Sequence, residues 1–156
     1  MPTDCRVPAV ALLGVLGPTS TFAADAGGGA GPLGTMVCLM ITMALVIGTV
    51  LVHYGGLNLI IGVCDRIPGQ RRLRIAEMVT GILMLHLVEI GLFAAGFRLL
   101  AWDDPAGGLS GQQALNWGDY FYFAATVYTT VGFGDLVPQA GLRLLSAFTS
   151  LTGLVM

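Results

Sequence analysis

The stretch that decides the fold is Tyr120-Phe121-Tyr122-Phe123-Ala124-Ala125-Thr126-Val127-Tyr128-Thr129, followed without a break by Thr130-Val131-Gly132-Phe133-Gly134-Asp135. The first part is apolar and aromatic but only about ten residues long, half of what a bilayer-spanning helix needs. It reads as a helix that enters an apolar layer and turns back. Non-helical backbone is tolerated at such depth only where it lines a cavity, and the second part has the composition of such a lining. In an ordinary strand successive carbonyls alternate in direction. Left-handed dihedrals at alternate residues turn them all one way, and glycine adopts these at little cost. Gly132 and Gly134 have that spacing. A helix start is expected just upstream in Asn116-Trp117-Gly118-Asp119, with Asn116 or Asp119 as N-cap.

Working outward, apolar runs flank this segment. Met78 to Phe97 is long enough to span a bilayer despite His86 and Glu89 within it, and Leu142 to Met156 is a shorter run with Arg143 near its start. Fifteen residues rise only about 22 Å as a helix, against a hydrocarbon core of about 30 Å. The chain as given is therefore expected to end inside its last helix. Further upstream, Met36 to Val52 forms another span, with Gly55-Gly56 as a candidate end or bend. Composition agrees: hydrophobic residues make up 55% of the chain and charged residues 10%, against about 25% charged in a soluble domain. Too little charge is present to coat a water-facing surface, so an all-α membrane protein is expected. No basic patch suggests nucleic acid as a partner, and Cys5, Cys38 and Cys64 have neither CxxC nor disulfide-framework spacing.

Charge sets the expected orientation. The connector Asp65 to Arg74 holds Arg66, Arg71, Arg72 and Arg74, which places it in the cytoplasm by the positive-inside rule. Trp102 to Gln139 carries four aspartates and neither Lys nor Arg, which suits the outside. The first span then starts outside, and residues 1–26 have the outline of a cleavable signal peptide that would deliver this. The expected organisation is signal peptide 1–26, Gly-rich linker 27–34, first span with interfacial extension 35–64, cytoplasmic Arg-rich loop 65–74 and pore domain 75–156. Within the last, the outer helix is 75–101, the pore helix 117–129, the filter 130–135 and the inner helix 141–156.

Thr130-Val131-Gly132-Phe133-Gly134-Asp135 resembles the TVG(Y/F)GD signature of potassium channels. The resemblance extends over Ile75 to Met156: it looks like a bacterial channel of the two-transmembrane pore type with an added N-terminal span. It implies a subunit of a homotetramer in the cell membrane, since one chain carries one filter and four are needed to close the oxygen rings. The backbone of Thr130, Val131, Gly132, Phe133 and Gly134 would line the path. K+ would sit at Thr130, Val131, Gly132 and Phe133 as permeant ion, with no cofactor. Asp135, Tyr122, Phe123, Thr126 and Trp117 are the expected supports of the filter. Phe133 lacks the hydroxyl that braces many relatives, so packing on Tyr122 or Phe123 must serve. Thr126 stands where many relatives carry an acid, which leaves Tyr122 or Trp117 as partners for Asp135.

Gly153 lies where similar channels carry a hinge glycine, although glycine is equally a helix-packing residue in membranes. His86 and Glu89 share a helix face at three-residue spacing. An ionisable residue in a span costs about 2.5–3.5 kcal/mol on the insertion scale, so it is expected to face protein. Glu89 reads as a hydrogen-bonded clamp, with His86, Thr42 or Thr149 as partners, or as a gating element. His53 is expected at the membrane interface. No nucleophile constellation, phosphate loop or metal-ligand spacing points to an enzyme. The functional alternative is a non-conducting accessory subunit that co-assembles with channels.

Overall fold

The computed structural model describes residues 32–65, 71–102, 108–111 and 115–156. The expected signal peptide, most of the Gly-rich linker and Arg66 lie outside these residues. Helices α1 (Pro32–Cys64), α2 (Arg71–Trp102), α3 (Trp117–Tyr128) and α4 (Leu142–Val155) are joined by a two-residue ladder, in which β1 (Leu109–Ser110) pairs antiparallel with β2 (Val137–Pro138). The protein is an all-α membrane protein. Helices α1 and α2 have 33 and 32 residues and are long and apolar enough to cross a bilayer. Large apolar side chains such as Met40, Leu51, Leu59, Val79 and Leu83 point outward, as they must where lipid is the solvent.

Two boundaries differ from those expected. Helix α1 continues through Gly55-Gly56: each glycine costs about 1 kcal/mol relative to alanine, and the close packing of Gly56 on Leu85 of α2 offsets this. Helix α2 starts at Arg71, so Arg71, Arg72 and Arg74 form its first turns rather than a loop.

Helices α1 and α2 run antiparallel in close contact. A Cβ on Gly56 would fall on Leu85, one on Gly81 on Ile60, and one on Gly96 on Leu45. As residue numbers rise along α1 they fall along α2, and each glycine receives a branched side chain from the facing helix. Small residues let membrane helices approach in this way, where lipid removes the hydrophobic drive to associate. Cys38 packs on Gly141 at the start of α4, and Cys64 is buried.

The core holds α3 between α2 and α4. From α2 it takes Ile90, Phe93, Ala94 and Phe97, a one-face helical stripe. From α3 come Phe123, Ala124 and Tyr128, and from α4 Leu142 and Leu145. Phe97 and Phe123 meet edge to face at 4.9 Å, one of the preferred aromatic geometries. Such a short helix has too few turns to be stable alone, so this packing fixes where its C-terminus points.

Candidate functional site: the segment after helix α3

Asn116 caps α3. Its side chain accepts from the Gly118 and Asp119 amides, while Asp119 Oδ2 accepts from the Asn116 amide at 2.8 Å. This reciprocal capping box satisfies donors that a helix start otherwise leaves unpaired. At the other end, the chain leaving the helix bonds back to it. The amides of Val131 and Gly132 both donate to the Thr126 carbonyl, at 2.9 and 3.1 Å, and that of Thr130 donates to Val127. The segment's N–H groups are thereby turned toward the helix.

Its dihedrals alternate. Thr130, Gly132 and Gly134 have φ of 60°, 52° and 80°, and Val131 and Phe133 between them do not share the positive sign. This is the pattern that aligns successive carbonyls. Thr130 was not expected to take part in it. A β-branched residue at positive φ is a genuine outlier, at a cost of about 1–3 kcal/mol, and such strain gathers at functional segments. The bonds to Val127 and Thr126 hold it there.

The expected supports divide into those that reach the segment and those that do not. The Tyr122 ring stacks on Phe133 with planes 1° apart and centroids at 6.3 Å, and its hydroxyl faces Asp135. Phe123 points the other way, into the core with Phe97. Thr126 contributes its main-chain carbonyl, because its hydroxyl donates to Phe123 O at 2.9 Å. The contact of Trp117 is with the Arg98 guanidinium, 5.6 Å from its ring centre. Gly111, at φ 133°, lies so close to the Asp135 main chain that a Cβ would meet its carbonyl. With Gln139 N–H donating to Gly108 O at 3.1 Å, this ties the β1–β2 ladder to the end of the segment.

Gly153 is a packing residue in this structure. A Cβ there would lie 2.8 Å from the Tyr128 carbonyl carbon and 3.0 Å from Tyr128 Cδ1, and closer still to the carbonyl oxygen. Helix α4 thus rests directly on the last turn of α3.

Behind the segment is a buried polar cluster. Glu89 is fully buried. Tyr128 O–H donates to Glu89 Oε2 at 2.5 Å, and His53 Nδ1 lies 2.7 Å from Glu89 Oε1. His86 Nδ1 is 3.2 Å from Glu89 Oε2 and 3.0 Å from the Tyr128 hydroxyl. A carboxylate only accepts, so the network assigns the Nδ1 protons to both histidines. His53 is therefore not interfacial but faces Glu89 across the α1–α2 contact. Thr42 and Thr149 are not partners, since each donates to the carbonyl four residues back on its own helix. The signal for His53 was present: an ionisable residue in an apolar span calls for a partner.

Removing this carboxylate has a definite consequence. Glu89→Leu leaves the Tyr128 hydroxyl and the His53 N–H without their acceptor, at about 1–3 kcal/mol each, and is expected to lower the thermal unfolding midpoint markedly in detergent. Glu89→Gln retains an acceptor for Tyr128, and its amide can donate to His53 in the other tautomer, so most of the loss should be spared. Equal midpoints for the Leu and Gln variants would contradict the clamp.

Residues 77–156 match the ion channel family of the two-transmembrane type, just over half of the chain. The uncharacterized membrane protein YdjJ of Bacillus subtilis (strain 168) is 32% identical over 96 residues, which cover 59% of this chain and 28% of that protein. The chain therefore spans less than a third of that relative's length. No solved structure matches. The chain belongs to the ion channel family, and the matched region takes in α2 from Glu77 onward, α3, the segment after it and α4.

Proposed function

We propose that the chain is a subunit of a potassium-selective channel, with residues 130–134 as the selectivity filter of a homotetramer. The observation that carries this reading is the alternation of positive φ at Thr130, Gly132 and Gly134. Amides anchored to α3 leave the carbonyls of Thr130, Val131, Gly132 and Phe133 for a dehydrated cation, and the Thr130 hydroxyl adds an oxygen at the inner end. Among the described residues no hydrogen bond to these carbonyls is present. One chain contributes one quarter of each oxygen ring, and four copies close it. A single chain also leaves Val131, Phe133, Leu154 and Val155 exposed, surfaces that neighbouring subunits and the pore would take up. The C-terminal end of α3 adds a partial negative charge toward the cation, while Asp135 and Tyr122 brace the outer end. No step needs a nucleophile or a cofactor, as transport through a pore requires neither.

The mouth of the filter faces outward in this reading, with the Arg71–Arg74 end of α2 in the cytoplasm. Gly108 is on the mouth side, and a Cβ there meets nothing within 4 Å. In a background without native cysteines, Gly108→Cys should react with an impermeant thiol reagent in intact cells. Reaction only after permeabilisation would reverse the orientation.

A further inference from the structure

The cluster around Glu89 plays no part in the proposed conduction path, yet its atoms converge on one point. We propose that His53, His86, Glu89 and Tyr128 form a binding site for a divalent transition-metal ion of the zinc class, which fastens α1 and α2 to the end of α3.

The spacing is the first argument. Donor atoms of His53, His86 and Glu89 all lie within 4.8 Å of one another. Four ligands about 2.0–2.1 Å from a tetrahedral zinc ion stand about 3.3 Å apart. The neighbouring separations here are 2.7 Å for His53–Glu89, 3.2 Å for His86–Glu89, 3.0 Å for His86–Tyr128 and 2.5 Å for Tyr128–Glu89. All four are shorter than that value, so the side chains must move apart by less than about 1 Å to admit the ion.

The protons are the second argument. Three of the four contacts place an N–H or O–H proton toward the shared carboxylate, and each of those donor atoms bears a lone pair once the proton has gone. Both imidazoles become Nδ1 ligands by carrying their proton on Nε2 instead, and Tyr128 gives its proton to solvent as the ion enters. Charge decides the ligand set. A divalent ion with one carboxylate, one phenolate and two neutral imidazoles has no net charge, which an apolar layer tolerates. Without Tyr128 the site would keep a net positive charge at a high desolvation cost. Two nitrogens also select against magnesium and calcium, which prefer oxygen ligands.

Access is from the imidazole side. The His53 and His86 side chains are 17% and 25% exposed, whereas Glu89 is closed off. Two residues beyond Tyr128 the segment of alternating φ begins at Thr130, so the bound ion would stiffen the support of that segment.

The test does not depend on conduction. Tag-free, chelator-stripped full chain in detergent is titrated with Zn2+ by calorimetry and with Co2+ by visible absorption. The expected result is one saturable ion per chain, the intense Co2+ bands of a tetrahedral site, and their loss when Zn2+ is added. Zn2+ should also raise the unfolding midpoint. His53→Gln and His86→Gln retain hydrogen-bonding groups but should each weaken binding by more than the roughly 10–100-fold that outer-shell changes cost. No saturable binding to the wild-type chain, or weak bands of octahedral Co2+, would mean a hydrogen-bonded clamp only and overturn the proposal. Unchanged affinity in the two histidine variants would overturn it equally.

Discussion

Gly134→Ala is expected to abolish potassium-selective current while leaving the chain folded. Gly134 sits at φ 80°, and within the chain an added Cβ would meet nothing within 4 Å. Steric collision is therefore not the reason for the effect. An L-residue in the left-handed region costs about 1–2 kcal/mol, and the proposed tetramer would incur it four times, roughly 4–8 kcal/mol in all. The cheapest relief is a peptide flip that turns a carbonyl away from the axis and an N–H toward it. A ring of donors repels a cation. The variant should reach the membrane with a near-normal unfolding midpoint, and its current in planar bilayers should be absent or should lose its preference for potassium over sodium. Retained selectivity would show that the left-handed conformation at this position is not needed.

Gly153→Ala should have the second large effect, for the opposite reason. Its Cβ would collide with the Tyr128 main chain, which cannot turn aside as a flexible side chain can. Overpacking costs about 1–3 kcal/mol and occasionally more, and a clash with backbone belongs at the upper end. Relief would require α4 to back away from α3, uncovering Leu145 and Phe123 and shifting the last turn from which the amides of Thr130, Val131 and Gly132 hang. The variant should unfold at a clearly lower temperature and yield little assembled protein. A hinge residue would behave differently: alanine there would alter opening and spare stability. An unchanged unfolding midpoint with altered open probability would restore the hinge reading.

Local chemistry that repeats along the chain was legible in the sequence. The apolar runs announced α1 and α2, the short aromatic run announced α3, and Asn116 with Asp119 announced its start. Gly132 and Gly134 gave two of the three left-handed positions. Thr130 gave no sign of being the third, because its left-handed dihedral is imposed by hydrogen bonds to Thr126 and Val127 rather than by its own preference. The partners of Glu89 were hidden for a related reason. His53 stands 36 residues away on another helix, and only the antiparallel contact of α1 with α2 brings the two together. Trp117 and Phe123 were misplaced because a helix face cannot be assigned until its neighbours are known: Arg98 draws one aside and Phe97 the other. Gly153 was ambiguous between hinge and packing until the chain it packs against was in view.

The most direct test of the central claim is the reversal potential of the wild-type chain, purified and reconstituted in planar bilayers with potassium on one side and sodium on the other. Backbone carbonyl rings at residues 130–133 require the zero-current voltage to follow the potassium gradient, by about 59 mV for each tenfold change at 25 °C. A voltage that follows sodium, or that stays near zero with both ions present at equal concentration on opposite sides, would contradict the assignment of this segment as a potassium filter.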